Sequence, residues 1–87
     1  MANVKLADCP PTDAELTAYD REHFKLYLRL LDAEAEGADW REVAEVVLRL
    51  DPKGDGERAH RIHAAHLARA KWMAEHGFLA LIRSSLH

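Results

Sequence analysis

With 87 residues, 48% apolar and 31% charged, this chain can build one small domain around one modest core and has no room for a separate catalytic domain. Its 12 Lys and Arg stand against 15 Asp and Glu, a formal net charge of −3 and the wrong sign for holding many phosphates. No apolar run is long enough to span a bilayer, Met1 to Cys9 lack the apolar stretch of a signal peptide, and Cys9 is the single cysteine, so a reducing cytoplasm is expected.

The first eleven residues show no sustained period and end in Cys9-Pro10-Pro11, which resists helix formation and reads as a flexible N-terminal arm (1–11) before a single helical domain (12–87). Thr12-Asp13-Ala14-Glu15 fits a capping box, so a first helix is expected over about 12–36. Leu16, Tyr19, His23, Phe24, Tyr27, Leu28, Leu30 and Leu31 form its apolar stripe, and Gly37 can end it in the left-handed conformation. Asp39 caps a second helix, about 39–50, in which Trp40, Val43, Ala44, Val47 and Leu48 share one face and Asp51-Pro52 is the stop. Lys53-Gly54-Asp55-Gly56 is loop chemistry, with Asp55 available as the next cap. A third helix, about 56–76, places Ala59, Ile62, His66, Ala70 and Met73 on one stripe, and Phe78 to Ile82 fit a short fourth helix, about 78–85, after Gly77. The expected fold is all-α, a compact bundle of three to four helices with a variant helix-turn-helix core.

That helix-turn-helix frame is the layout of a DNA reader, yet its charges are uneven. Residues 13–36 carry three Lys or Arg against seven Asp or Glu, whereas residues 55–73 carry Arg58, Arg61, Arg69 and Lys71 against Asp55 and Glu57. Only the second helix of the frame is basic, while a DNA-binding module ordinarily supports such a helix with further cations from its flanks.

Other residue types are weighed against plain packing. Trp40 and Trp72 can anchor a partner or fill the core, and in a chain this small the core is favoured; Tyr19 and Tyr27, eight apart on one helical face, fit a core stripe. His60, His63 and His66 recur every third residue, a spacing that allows metal sharing, but they drift around the helix and no acid or thiol completes a set. His66 is expected to be buried or capping, and His60 and His63 solvated. Arg58, Arg61 and Arg69 can pair with acids of the first helix or face a partner. Ser84 and Ser85 have no motif-linked base, and Gly54-Asp55-Gly56 is too short to cradle a phosphate, so no enzyme activity, cofactor, metal or small-molecule ligand is expected.

The ordered words Tyr19-Asp20, Tyr27-Leu28-Arg29-Leu30-Leu31-Asp32-Ala33, Gly37-Ala38-Asp39-Trp40, Glu42-Val43-Ala44, Asp51-Pro52, His66-Leu67-Ala68-Arg69-Ala70-Lys71-Trp72-Met73 and Gly77-Phe78 cover nearly all of the ordered chain. In these the sequence resembles the small proteobacterial domain found in regulators of integrative and conjugative elements. The resemblance implies a variant helix-turn-helix that larger activators use on promoter DNA. It also implies that short single-domain relatives use the same domain to bind and silence an activator. Combined with the acidic first helix, it sets the expectation of an antiactivator that blocks a transcriptional activator of element excision and transfer under quorum-sensing control, the partner carrying a related domain. Asp20, Glu22, Arg58, Arg61, Arg69 and Trp72 are the candidate partner-binding residues, and DNA binding is expected to be weak or absent. A DNA-binding helix-turn-helix transcriptional regulator is the alternative.

Overall fold

The computed structural model describes residues 6–76, and within them the chain forms four α-helices and no strand. In chain order these are α1 (Ala18–Glu22), α2 (Phe24–Ala35), α3 (Trp40–Val46) and α4 (Gly56–Glu75). The expected fourth helix over 78–85 and its stop at Gly77 lie outside the described residues.

The expected first helix differs in two ways. Its capping box is Thr17 with Asp20, not Thr12 with Glu15: the Thr17 hydroxyl accepts from the Asp20 amide at 3.3 Å, and the Asp20 carboxylate accepts from the Thr17 amide at 2.9 Å. Both words have the right spacing. Asp20 is fixed by a further partner on α4, and this selects the second word. The helix is also interrupted at His23, whose φ of −110° and ψ of 17° leave the helical region between α1 and α2. At this break the His23 Nδ1–H donates back to the Tyr19 carbonyl at 2.8 Å, which also accepts from the His23 amide at 3.1 Å.

Gly37 ends α2 as expected. At φ 75° it passes its amide to the Glu34 carbonyl (3.1 Å) while Ala38 reaches the Ala33 carbonyl (3.0 Å), the paired closure of a Schellman motif. Asp39 then caps α3 through the Arg41 amide. This helix stops at Val46, short of the expected residue 50, because its end unwinds before Asp51-Pro52 is reached. The Leu48 amide bonds five residues back to Val43, the Leu50 amide bonds six back to Ala44, and Arg49 between them takes a positive φ of 57°. Asp55 caps α4 at the Arg58 amide, as its place before Gly56 predicts.

α4 packs against both α2 and α3. Tyr27 and Leu30 from α2, Val43 from α3, Leu48 from the connector and Ile62, Ala70 and Met73 from α4 form the buried core. Burial of Leu30, Ile62 and Met73 contributes about 1.5–3 kcal/mol each. Trp72 is half-buried against this core, and Trp40 is half-buried as well. The N-terminal residues 6–10 also take part: Leu6 packs on the core, Pro10 is buried, and the Ala7 amide donates to the Tyr19 hydroxyl at 3.0 Å. The described part of the expected flexible arm therefore lies against the domain.

Candidate nucleic-acid interface

The helical period divides α4 into an inner and an outer face. Ala59, Ile62, His66, Arg69, Ala70 and Met73 are buried, while Arg58, His60, Arg61, Ala64, Ala68 and Lys71 are exposed. Cations stand towards both ends of the outer face, Arg58 and Arg61 beside exposed Glu57 at one and Lys71, 3.6 Å from Glu34, near exposed Glu75 at the other, with Ala64 and Ala68 between them. Small side chains at the centre let a helix backbone approach a surface closely, and cations at its ends suit flanking phosphates.

At the edge of this face the Trp40 ring lies 4.5 Å from His60 and 6.2 Å from His63 between ring centroids, and the Arg41 guanidinium stands 5.2 Å over the indole. Together with Glu34, Ala64, Leu67, Ala68 and Lys71, the rings of Trp40, His60 and His63 line an open groove of about 350 Å³. Burial lowers the His63 pKa, against the pull of Glu34, so this ring favours the neutral form. It is half-buried rather than solvated as expected, whereas His60 is exposed.

Two of the six candidate residues do not face a partner. Asp20 is fully buried and Arg69 is 6% exposed, and they pair with each other across the helices. Arg69 Nη2 donates to Asp20 Oδ2 at 2.7 Å and Nε to Oδ1 at 3.0 Å, while Nη1 and Nη2 reach the Asp13 and Glu15 carbonyls. The Tyr27 hydroxyl donates to Asp20 as well, at 3.0 Å. Burial pushes the Asp20 pKa up, but hydrogen bonds from Arg69, Thr17 and Tyr27 outweigh it and hold the carboxyl below its ordinary value. Trp72 is half-buried beneath the Arg69 guanidinium at 3.9 Å and lines a second groove with Cys9, Pro10, Ala65 and Ala68.

The other three candidates are exposed. Glu22 stands at the end of α1, Arg61 lies on the outer face of α4, and Arg58 grips Asp8 through Nη2 to Oδ1 at 2.7 Å and Nε to Oδ2 at 3.3 Å. Arg58 therefore pairs with the N-terminal segment, not with the acidic first helix. Sequence reasoning missed Asp8, which lies 50 positions from its partner, and no local pattern marks it.

His66 takes the buried place expected of it. Its Nδ1–H donates to the Ile62 carbonyl at 2.8 Å, leaving Nε2 to accept from the Tyr19 hydroxyl at 2.6 Å. Tyr19 is thus a hydrogen-bonding residue, used inside the fold, and its ring stacks on His23 at 3.9 Å. His66 is thus used inside the fold, whereas His60 and His63 both lie against the Trp40 ring.

Removing the buried Asp20–Arg69 pair from the surface tally weakens the charge contrast read from the sequence. The helix-one segment falls from four excess acids to three, and residues 55–73 fall from two excess cations to one. The exposed surface is closer to mixed than to segregated.

An all-α domain in which two packed helices, α3 and α4, are joined by a connector and the second presents an exposed outer face has a helix-turn-helix arrangement of the variant kind. The family model described as "T6SS, Transcription factor, DNA binding domain" matches residues 2–83, and the chain belongs to that family. A search of curated proteins found no match. The family is one of transcription-factor domains, and its DNA-binding description runs against the expectation of weak or absent DNA binding. It does not extend to conjugative elements or to antiactivation. No helix of the described residues is long and apolar enough to cross a membrane.

Proposed function

We propose that this domain is a DNA-binding module of a transcriptional regulator, acting in the cytoplasm without catalysis, and that the outer face of α4 enters the major groove. The observation that carries the reading is the exposed stripe of Arg58, Arg61, Ala64, Ala68 and Lys71 on the long helix of a chain that belongs to a DNA-binding-domain family. Arg61 and Lys71 serve as phosphate contacts, and His60 at the rim of the stripe is placed to meet base edges or backbone. Fluorescence anisotropy of a labelled mixed-sequence duplex, titrated over a range of salt, tests this. The Arg61→Ala, Lys71→Ala double variant should bind more weakly, with a salt slope shallower by about one unit per cation removed and with unchanged helical content by circular dichroism. Wild-type protein that gives no salt-dependent binding, or a variant that binds as well as wild type, ends the proposal.

A second reading is favoured by the exposed acids Glu22, Asp32, Glu34 and Glu36 on and just beyond α1 and α2. In it the domain is an antiactivator that docks on a basic transcriptional activator of conjugative-element excision and transfer and blocks it. Complex formation with such an activator, weakened by salt and by charge reversal at Glu22 and Glu34, supports this reading. Tight duplex binding that Glu22 and Glu34 reversal leaves intact counts against it.

A further inference from the structure

The exposed end of α4 is already engaged by the protein itself. Asp8 presents both carboxylate oxygens to the Nε–Nη2 edge of Arg58, and this is the same planar fork that a guanidinium offers to a phosphate. Asp8 is not a freely swinging side chain. It follows Ala7, tied to the Tyr19 hydroxyl, and lies two residues before the buried Pro10, so its backbone is anchored on either side of the ion pair. The hydrogen bonds from Arg58 lead in holding the Asp8 carboxyl below its ordinary pKa, and the charges of Arg58 and Arg61 act in the same direction. One carboxylate thus answers to two cations in the first turns of α4.

We propose that Arg58 and Arg61 form a site for a DNA backbone phosphate and that Asp8 is its built-in competitor, an acidic group held in the phosphate position until DNA displaces it. This rests on the DNA-binding reading above. The ion pair is exposed, so the competition is moderate: a phosphate gains Arg58 by replacing Asp8, while the anchors at Ala7 and Pro10 keep the carboxylate at hand to return. Its effect is to reduce affinity for every sequence alike, because phosphate contacts carry no base information. Weak non-specific complexes then dissociate more readily, while a target with good base contacts is retained.

The test compares wild type, Asp8→Asn, Arg58→Ala, the combined variant and Glu22→Gln, the last removing one exposed negative charge from α1. Each is titrated with a labelled mixed-sequence duplex of about 20 base pairs, two turns of B-DNA, at fixed salt. Asp8→Asn is expected to bind about three- to tenfold tighter than wild type, Glu22→Gln by less than about twofold, and the gain from Asp8→Asn should vanish when Arg58 is already Ala. An equal gain from Glu22→Gln, or a gain that persists without Arg58, reduces the effect to net charge and overturns the proposal. A parallel NMR titration of the Asp8 carboxylate without DNA should show its midpoint rising towards the ordinary value in Arg58→Ala. An unchanged midpoint overturns the contact itself, independently of any DNA result. If the contact is present but neither wild type nor Asp8→Asn binds duplex, the DNA-binding reading fails and takes the competitor with it. Duplex binding that is equal in wild type and Asp8→Asn sinks the competitor alone.

Discussion

Arg69 makes four hydrogen bonds into the protein and lies over the Trp72 ring, so it is a structural cation in spite of standing in the basic helix. Truncating it to Met leaves the Asp20 carboxylate buried beside Tyr27 with no cation. Arg69→Met should therefore cost about 3–5 kcal/mol, measured by urea unfolding, a large share of the stability of a domain this small. Lysine is a poor substitute because one ammonium cannot serve Asp20 and two carbonyls in the same plane. His66 gives a second prediction. Burial lowers its pKa below the ordinary 6.5, so the unfolded chain takes up the proton first as pH falls. Stability contributed by neutral His66 is complete above about pH 6.5 and declines from there towards its lower folded value. The melting temperature should fall between about pH 7.5 and pH 5, and His66→Gln should flatten that decline. Asp20 acts in a separate window: its depressed pKa supplies stability that is present above 3.8 and lost only below it. Pairing with an acid of the first helix was one of the two readings the sequence left open for Arg69, but its choice of Asp20 and the burial of both groups show only when α4 is laid beside α1. His66 was legible as a buried residue because it falls on the same helical stripe as Ile62, Ala70 and Met73.

The helices were legible in proportion to how local their signals are. Asp39 and Asp55 as caps, Gly37 as a stop and the inner stripe of α4 depend on neighbours within one or two turns, and the structure agrees with each. The start of α1 and the break at His23 were not legible. Two threonine-led words compete for the first, and no local pattern marks the second. At Gly37 the φ of 75° is the whole requirement, because an added Cβ would meet nothing within 4 Å. Gly37→Ala should cost about 1 kcal/mol or slightly more in thermal or urea unfolding, purely from backbone conformation. A loss of several kcal/mol there would mean that Gly37 is packed in some way the geometry does not show.

Across the whole molecule, α4 is divided: one face completes the core with α2 and α3, and the other is exposed. The sequence read this division correctly but assigned charge too simply, because it counted a buried ion pair as two surface charges and could not see Asp8 returning to Arg58. Ala64 and Ala68 carry a consequence of the division. Both are exposed, so enlarging either should change folding stability by less than about 0.5 kcal/mol. A leucine at either position would nevertheless hold the helix away from any surface it has to approach. If α4 is the recognition helix proposed above, drift at these two alanines is nearly invisible to selection on folding and visible to selection on recognition. On that reading, a descendant of this domain can change what it binds one small side chain at a time, on a scaffold that does not register the difference.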